Sequence, residues 1–161
     1  MRNRKDRATR REVLARAAGL VGGLALTTRP TSAQVPANPA ALALAIRKIT
    51  GDAKVNDGKV TLEVPPLSEN GNAVPLIVTV DSPMTAASHV KAIHVFAERN
   101  LQPNVIDAKL GPRAGRPVIQ TRIRLADSQD IIAIAELSDG TFWRATANVI
   151  ITLGACLEDV P

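Results

Sequence analysis

The sequence predicts a mainly β domain, an antiparallel β-sandwich with a short N-terminal helix. Short apolar runs, several of them alternating with polar residues, follow one another from Lys59 to the C-terminal region. Gly, Pro, Asn and Asp clusters separate these runs, as turns do in sandwiches. The length of 161 residues suits one such domain together with a targeting segment, so no second core is expected.

Residues 1–33 have the features of an export signal. A basic start precedes the apolar stretch 17–28, which is too short and too rich in Gly and Ala for a permanent membrane anchor, and residues 31–33 form a small-residue site. We expect cleavage after Ala33. Arg10 and Arg11, within residues 9–15, resemble the twin-arginine motif, although Val13 stands where Phe is usual. The alternative is an ordinary secretory signal in which the pair is accidental. The twin-arginine interpretation predicts a periplasmic protein exported already folded.

The charge of the remaining chain argues against nucleic acid as a partner. The whole sequence has a formal charge of +5, but residues 34–161 hold 12 basic and 13 acidic residues. Three aromatic residues in this part are also too few for a base-stacking surface. We therefore expect neither a nucleic-acid partner nor a membrane anchor.

A helix is predicted immediately after the signal. Asn38 and Pro39 suit the N-cap and first helical position, residues 40–49 are mostly good helix formers, and Gly51 provides a stop. Leu42, Ile46 and Ile49 are spaced four and three apart, so they form one apolar stripe that would pack on a larger body.

Strands are predicted over residues 59–64, 76–80, 118–125, 131–137 and 141–153. Between the last two, residues 138–140 read Ser-Asp-Gly, which indicates a hairpin with positive φ at Gly140. Residues 89–98 fit a helical stripe as well as an alternating strand, and their β-branched content favours the strand. We divide the chain into an export signal (1–33), a linker and helix (34–58), a sandwich (59–153) and a C-terminal arm (154–161).

The only cysteine, Cys156, lies in that arm, after the strand-like run that ends near Gly154. One cysteine cannot form an internal disulfide, so in an oxidising compartment it is reactive, paired with another molecule or buried. Two interpretations fit its position: a mobile thiol that large partners can reach, or a small apolar side chain packed at a strand end.

Three stretches of the chain stand out together: residues 69–76 (Glu-Asn-Gly-Asn-Ala-Val-Pro-Leu), 82–85 (Ser-Pro-Met-Thr) and 89–100 (His-Val-Lys-Ala-Ile-His-Val-Phe-Ala-Glu-Arg-Asn). In their order and spacing they resemble the SoxY family of sulfur carriers in thiosulfate oxidation. The resemblance continues through residues 121–126 and 133–143 and covers nearly all of the chain after the signal.

The resemblance implies an immunoglobulin-like fold and a carrier role without catalysis or cofactor. It implies covalent attachment of the sulfur intermediate at Cys156, on an arm whose flexibility would come from Gly154 and Ala155. It also implies a heterodimer with a SoxZ-like β protein, and partners that include haem-containing, hydrolase and sulfane dehydrogenase components. The alternative function is a periplasmic β-sandwich interaction domain whose cysteine carries nothing; a small thiol enzyme is a third.

The arm departs from the family pattern, in which glycine pairs flank the cysteine on both sides. Here Gly154-Ala155 precedes Cys156 and Leu157-Glu158-Asp159-Val160-Pro161 follows it. Fewer glycines stiffen the arm, and the nearby carboxylates disfavour a thiolate and repel anionic sulfur species. We therefore expect either that the partner enzymes have wider active-site entrances or that this protein works in a related sulfur pathway.

Histidine, arginine and aromatic residues outside the arm are further candidate sites. His89 and His94, five apart on a strand, would face opposite sides and could not jointly hold a metal, so structural or interface roles are expected. Arg122 and Arg124 share one polar strand face that is either solvated or meets an acidic partner. Phe142 and Trp143 should face opposite layers, as core residues or as an interface anchor.

Overall fold

The computed structural model describes residues 36–153 and shows a β-sandwich with one helix packed on its outside. Residues 1–33 and 154–161, which hold the predicted export signal and arm, lie outside the described part. No helix in residues 36–153 is long and apolar enough to cross a membrane.

The predicted helix is present as α1, Pro39–Thr50. The Asn38 side chain accepts a hydrogen bond from the Ala41 amide at 3.0 Å, and the Gly51 amide donates to the Arg47 carbonyl at 2.8 Å. Gly51 has φ of 60°, a conformation that glycine adopts without a Cβ clash. Both ends of the helix are therefore fixed by the residues that predicted them.

The described residues form nine strands in two sheets. In chain order they are β1 Val55–Asp57, β2 Val60–Glu63, β3 Leu67–Asn70, β4 Val74–Val80, β5 Val90–Ala97, β6 Asn104–Lys109, β7 Val118–Ile123, β8 Gln129–Leu137 and β9 Phe142–Leu153. The larger sheet has the order β1-β9-β8-β5-β6, with β3 also pairing β9, and the smaller has the order β2-β4-β7. The fold prediction, a mainly β sandwich with a short N-terminal helix, is confirmed.

Two parallel pairs were not predicted. β1 and β3 both run parallel to β9, with Val55 opposite Phe142 and Leu67 opposite Ile150; the other strand pairs are antiparallel. The predicted linker and helix, residues 34–58, include Val55–Asp57, and no strand was predicted between residues 64 and 76, where β3 lies. β1 (Val-Asn-Asp) and β3 (Leu-Ser-Glu-Asn) are short and do not alternate apolar with polar residues, so they give no strand signal in the sequence. β6 was missed as well.

The larger sheet has an apolar core on each face. The inner core between the sheets includes Ile93, Val95 and Val149, all without solvent exposure. On the outer face, Leu42 and the partly buried Ile46 and Ile49 of α1 pack with the buried side chains of Phe96, Ile134 and Phe142. β5 is buried on both faces, which explains why its sequence fitted a helix as well as a strand.

Candidate functional site

Cys156, Gly154 and Ala155 lie outside the described residues, as do Arg10 and Arg11. The structure therefore describes the base on which the predicted arm begins. That base is the last part of β9, which continues four residues beyond its pairing with β8 at Val149.

Residues Ile150–Leu153 are held mainly by β3. The Ile150 amide donates to the Pro66 carbonyl at 2.9 Å, and the Thr152 hydroxyl donates to the Glu69 carbonyl at 3.2 Å. β8 does not extend along these residues. On its side of β9, the Ser128 hydroxyl takes the place of a strand partner, and its oxygen accepts a hydrogen bond from the Ile151 amide at 2.8 Å. The backbone is thus fixed up to Leu153, three residues before Cys156.

Loops around this end of the sandwich are joined by a buried amide network that the sequence did not reveal. The Gln129 side chain, 3% exposed, accepts from the Arg99 amide at 2.8 Å and donates to Asn100 Oδ1 at 3.1 Å. Asn100 in turn donates to the Arg124 carbonyl and accepts from the Ala126 amide. Single Asn and Gln residues are too common in sequences to signal such a network, so only the fold identifies it.

The two histidines have different surroundings, and only His94 lies on the strand that the sequence predicted for both. His89 precedes β5, and its amide donates to the Ser138 hydroxyl at 3.1 Å. His94 is buried on β5, opposite Asp107 of β6, and its Nδ1 lies 2.5 Å from Asp107 Oδ1. In residues 36–153, no group of three or more His, Cys, Asp or Glu side chains could hold a metal ion.

The Asp107 carboxylate is the acceptor in this pair. Burial acts to raise its pKa, but hydrogen bonds from His94 and Asn104 and the nearby charges of His94 and Lys109 outweigh burial and lower the pKa. The pair joins β6, the edge strand, to β5. Its place in the sheet gives His94 a structural role.

Phe142 and Trp143 face opposite sides of the larger sheet, as the sequence predicted. Phe142 is 7% exposed in the cluster under α1. Trp143 packs against the inner core, donates from Nε1 to the Thr141 hydroxyl at 3.0 Å, and has the Lys59 ammonium 4.6 Å from its ring centroid. Both side chains are accounted for by contacts within the domain.

Arg122 and Arg124 are both exposed, but β7 ends at Ile123, so only Arg122 lies on the strand that was predicted to hold both. Arg122 lies on the outer face of β7, where Gln120 and Val118 are its neighbours at alternate positions. Within residues 36–153 neither guanidinium makes a hydrogen bond or ion pair.

Taken together, the fold and the arm base define a class: a small immunoglobulin-like sandwich whose last strand is anchored just before a single cysteine. The sequence profile of the family described as sulfur oxidation protein SoxY matches residues 46–156. The chain belongs to the SoxY family.

Solved structures show the same fold. The sulfur carrier protein SoxY from Chlorobium limicola f thiosulfatophilum is similar with a TM-score of 0.60 and 23% identity, covering 72% of this chain and 100% of that chain. A superoxide reductase (neelaredoxin) from Ignicoccus hospitalis has a TM-score of 0.53 and 17% identity, over 58% of this chain and 80% of its own. A search of curated proteins gave no match. At these identities the likeness concerns the fold alone.

Proposed function

We propose that this chain is a sulfur carrier that holds thiosulfate-derived intermediates covalently on Cys156 and presents them to enzymes of sulfur oxidation, without catalysis of its own. The observation that supports this most directly is the extent of the family match. It runs from residue 46 to residue 156, so it includes the only cysteine of the sequence.

The arm base fits a presenting role. β9 is hydrogen-bonded as far as Leu153, and three further residues span at most about 10 Å when extended. A carrier needs a fixed base and a short reach, since a partner enzyme must locate the cargo relative to the domain surface. Hydrogen bonds that β9 residues donate to β3 and to Ser128 supply the fixed base.

The proposed chemistry needs partner proteins. Joining thiosulfate to the Cys156 thiolate forms an S–S bond and releases two electrons, R–S⁻ + S₂O₃²⁻ → R–S–S–SO₃⁻ + 2e⁻, which a haem-containing partner accepts. Hydrolysis, R–S–S–SO₃⁻ + H₂O → R–S–SH + HSO₄⁻, requires a hydrolase. The remaining sulfane sulfur is a substrate for a sulfane dehydrogenase. This chain contributes the attachment atom and its placement.

The proposal includes a SoxZ-like β protein as the partner in a SoxYZ heterodimer, and a periplasmic location reached by the twin-arginine route. The family membership supports the first. The second is supported by Arg10 and Arg11 and by the small-residue site that ends at Ala33.

Intact mass spectrometry tests the proposal. After incubation with thiosulfate and the cognate haem-containing partner, the chain should gain a thiosulfate adduct that reductant removes, and Cys156→Ser should gain none. An unmodified native chain, in a mixture whose partner is shown to be active, would favour the alternative, a periplasmic β-sandwich interaction domain. An adduct on Cys156→Ser would contradict the assignment of the site.

A further inference from the structure

A groove runs over the outer face of the smaller sheet, between β4 and β7. It has a volume of about 570 Å³ and is lined by Pro75, Leu76, Ile77, Gln120, Thr121 and Arg122. In the antiparallel register Pro75 is opposite Arg122, and Ile77 is opposite Gln120. The groove therefore has an apolar side on β4 and a hydrogen-bond-donating side on β7.

The donors on the β7 side are unused within the described residues. The Gln120 amide and the Arg122 guanidinium make no side-chain hydrogen bond or ion pair in residues 36–153. Glu63 of β2 is opposite Ile77, so it lies on the same face but on the far side of β4. Two strand spacings, about 10 Å, separate the β2 and β7 backbones. Within residues 36–153, no carboxylate forms an ion pair with Arg122.

The groove lies at the end of the sandwich from which the arm starts. Val74, the first residue of β4, is opposite Ile123, the last of β7. The Leu125 amide donates to the Gly71 carbonyl at 2.8 Å, and the neighbouring Asn70 is paired with Leu153 at the end of β9. One short turn, Gly71–Ala73, thus connects the arm base to the groove.

We propose that this groove binds a sulfur oxoanion group, with the Arg122 guanidinium and the Gln120 amide donating to its oxygens. A planar guanidinium donates two parallel hydrogen bonds to an oxoanion, and such charge-assisted bonds are stronger than neutral ones. Pro75 and Ile77 provide apolar contact for the weakly hydrated sulfur atoms behind the anionic end. One use of the groove would be to hold the anionic end of a group carried on the arm. This use depends on the proposed carrier function.

Two sources present the same chemistry: the end of a group carried on Cys156, or a free sulfur oxoanion. The first is tested by loading the full chain chemically. Tetrathionate converts the thiolate to an anionic adduct, R–S⁻ + S₄O₆²⁻ → R–S–S–SO₃⁻ + S₂O₃²⁻. Methyl methanethiosulfonate gives a neutral one, R–SH + CH₃SO₂SCH₃ → R–S–S–CH₃ + CH₃SO₂H. The anionic adduct alone should shift the NMR signals of Arg122 Nε–H and the Gln120 side-chain amide.

The second source is tested with Cys156→Ser, which cannot be loaded, by titrating with thiosulfate and following the same two signals. Arg122→Gln should weaken the thiosulfate Kd about tenfold, because a hydrogen bond to a charged group is lost. Arg113→Gln is the matched control: it removes an exposed arginine in the β6–β7 loop, away from the groove. Its Kd should change by less than about twofold.

Shifts with the anionic adduct, with free thiosulfate or with both support the groove and identify its source. Absence of shifts in both experiments, or equal shifts with the neutral adduct, overturns the proposal. So does equal weakening by the Arg122 and Arg113 substitutions. Chemical loading uses no partner enzyme. Failure of enzymatic loading in the mass experiment would therefore not affect the groove result, and absence of NMR shifts would not affect the assignment of Cys156 as the attachment site.

Discussion

At the scale of single residues, the His94–Asp107 pair shows how the edge strand β6 is attached. The carboxylate can only accept, so His94 Nδ1 carries the proton that lies between them. Asn104 donates to the second carboxylate oxygen at 2.7 Å. Both hydrogen bonds favour ionised Asp107, and its pKa is lowered for that reason, in spite of burial that acts to raise it.

This direction predicts a pH dependence of stability. An unfolded Asp titrates near pH 4, and folded Asp107 has a lower pKa. Its ionised form therefore stabilises the fold above about pH 4, and this contribution is lost as pH falls through the lower folded value. Asp107→Asn should lower the free energy of unfolding at pH 7 by less than about 1 kcal/mol, since the side chain is half exposed, and the deficit should shrink as pH falls below about 4.

Urea unfolding at pH 7, 5, 4 and 3 checks this. Asp81→Asn serves as the control, because Asp81 is exposed and its carboxylate has no hydrogen bond within residues 36–153. Its stability difference from the native chain should stay flat over this range. A deficit for Asp107→Asn that grows as pH falls would contradict the lowered pKa.

The residues that follow Cys156 give a second prediction at this scale. Glu158 and Asp159 place negative charge near the sulfur, which disfavours the thiolate and repels anions. Neutralising both, as Glu158→Gln with Asp159→Asn, should speed alkylation by iodoacetamide roughly twofold at low salt. Alkylation by anionic iodoacetate should gain more, because repulsion of the reagent is also removed.

Rates measured at low and high salt check this prediction, since added salt should remove the difference. Equal rates at low salt would show that these carboxylates do not affect the sulfur. We expect an arm rebuilt as Gly-Gly-Cys-Gly-Gly to be loaded with thiosulfate faster than the native arm. An unchanged loading rate would mean that the departure from the family pattern has no cost.

Among the elements, the end of β9 is the segment on which the proposed carrier role depends. β8 begins at Gln129, which is opposite Val149, so the last four residues of β9 have no antiparallel partner on that side. Ser128 covers one of these positions by accepting from the Ile151 amide and donating to the Ile151 carbonyl. Ile151 is buried, so an unpaired amide there would be costly.

Ser128→Ala should therefore loosen the arm base. We expect a loss of about 1 kcal/mol in the free energy of unfolding and faster hydrogen exchange at the amides of Ile151–Leu153. Ser138→Ala is the matched control at the opposite end of β8, where that hydroxyl accepts from the His89 amide. It should leave exchange at the end of β9 unchanged, whereas similar acceleration by both substitutions would contradict a local role for Ser128.

On the scale of the whole molecule, the larger sheet is covered on both faces, by the smaller sheet inside and by α1 outside. The helix contributes to the stability of the sandwich, because Leu42, only 9% exposed, packs against Phe96, Ile134 and Phe142. Because α1 covers the outer face, β5 and β8 can have apolar side chains on both faces without exposing an apolar patch.

Leu42→Ala should destabilise the whole domain by about 2 to 3 kcal/mol, because it removes a buried side chain from the outer core. Leu44→Ala is the control: this leucine is on the same helix but 70% exposed, so its change should stay within about 0.5 kcal/mol. Thermal unfolding followed at Trp143, on the inner side of the sheet, measures both. A helix-only transition, with Trp143 unaffected, would contradict a single cooperative domain.

Periodic segments were predictable because their own residues carry the signal. The N-cap Asn38, the stop at Gly51 and the Gly140 turn were all identified in sequence and are present with the expected hydrogen bonds or positive φ. β1, β3 and β6 were not identified. A short strand is stabilised by its partner, and a partner far along the chain, such as β9 for β3, leaves no local pattern.

By itself, then, the sequence determined the fold class, the helix ends, the opposite orientation of Phe142 and Trp143, and Cys156 as the candidate attachment point. Only the tertiary structure decided that β3 and Ser128 fix the end of β9, and that Arg122 and Gln120 stand over an apolar groove beside the arm base. The reason is that these features join residues distant in the chain, and periodicity describes only neighbours along it.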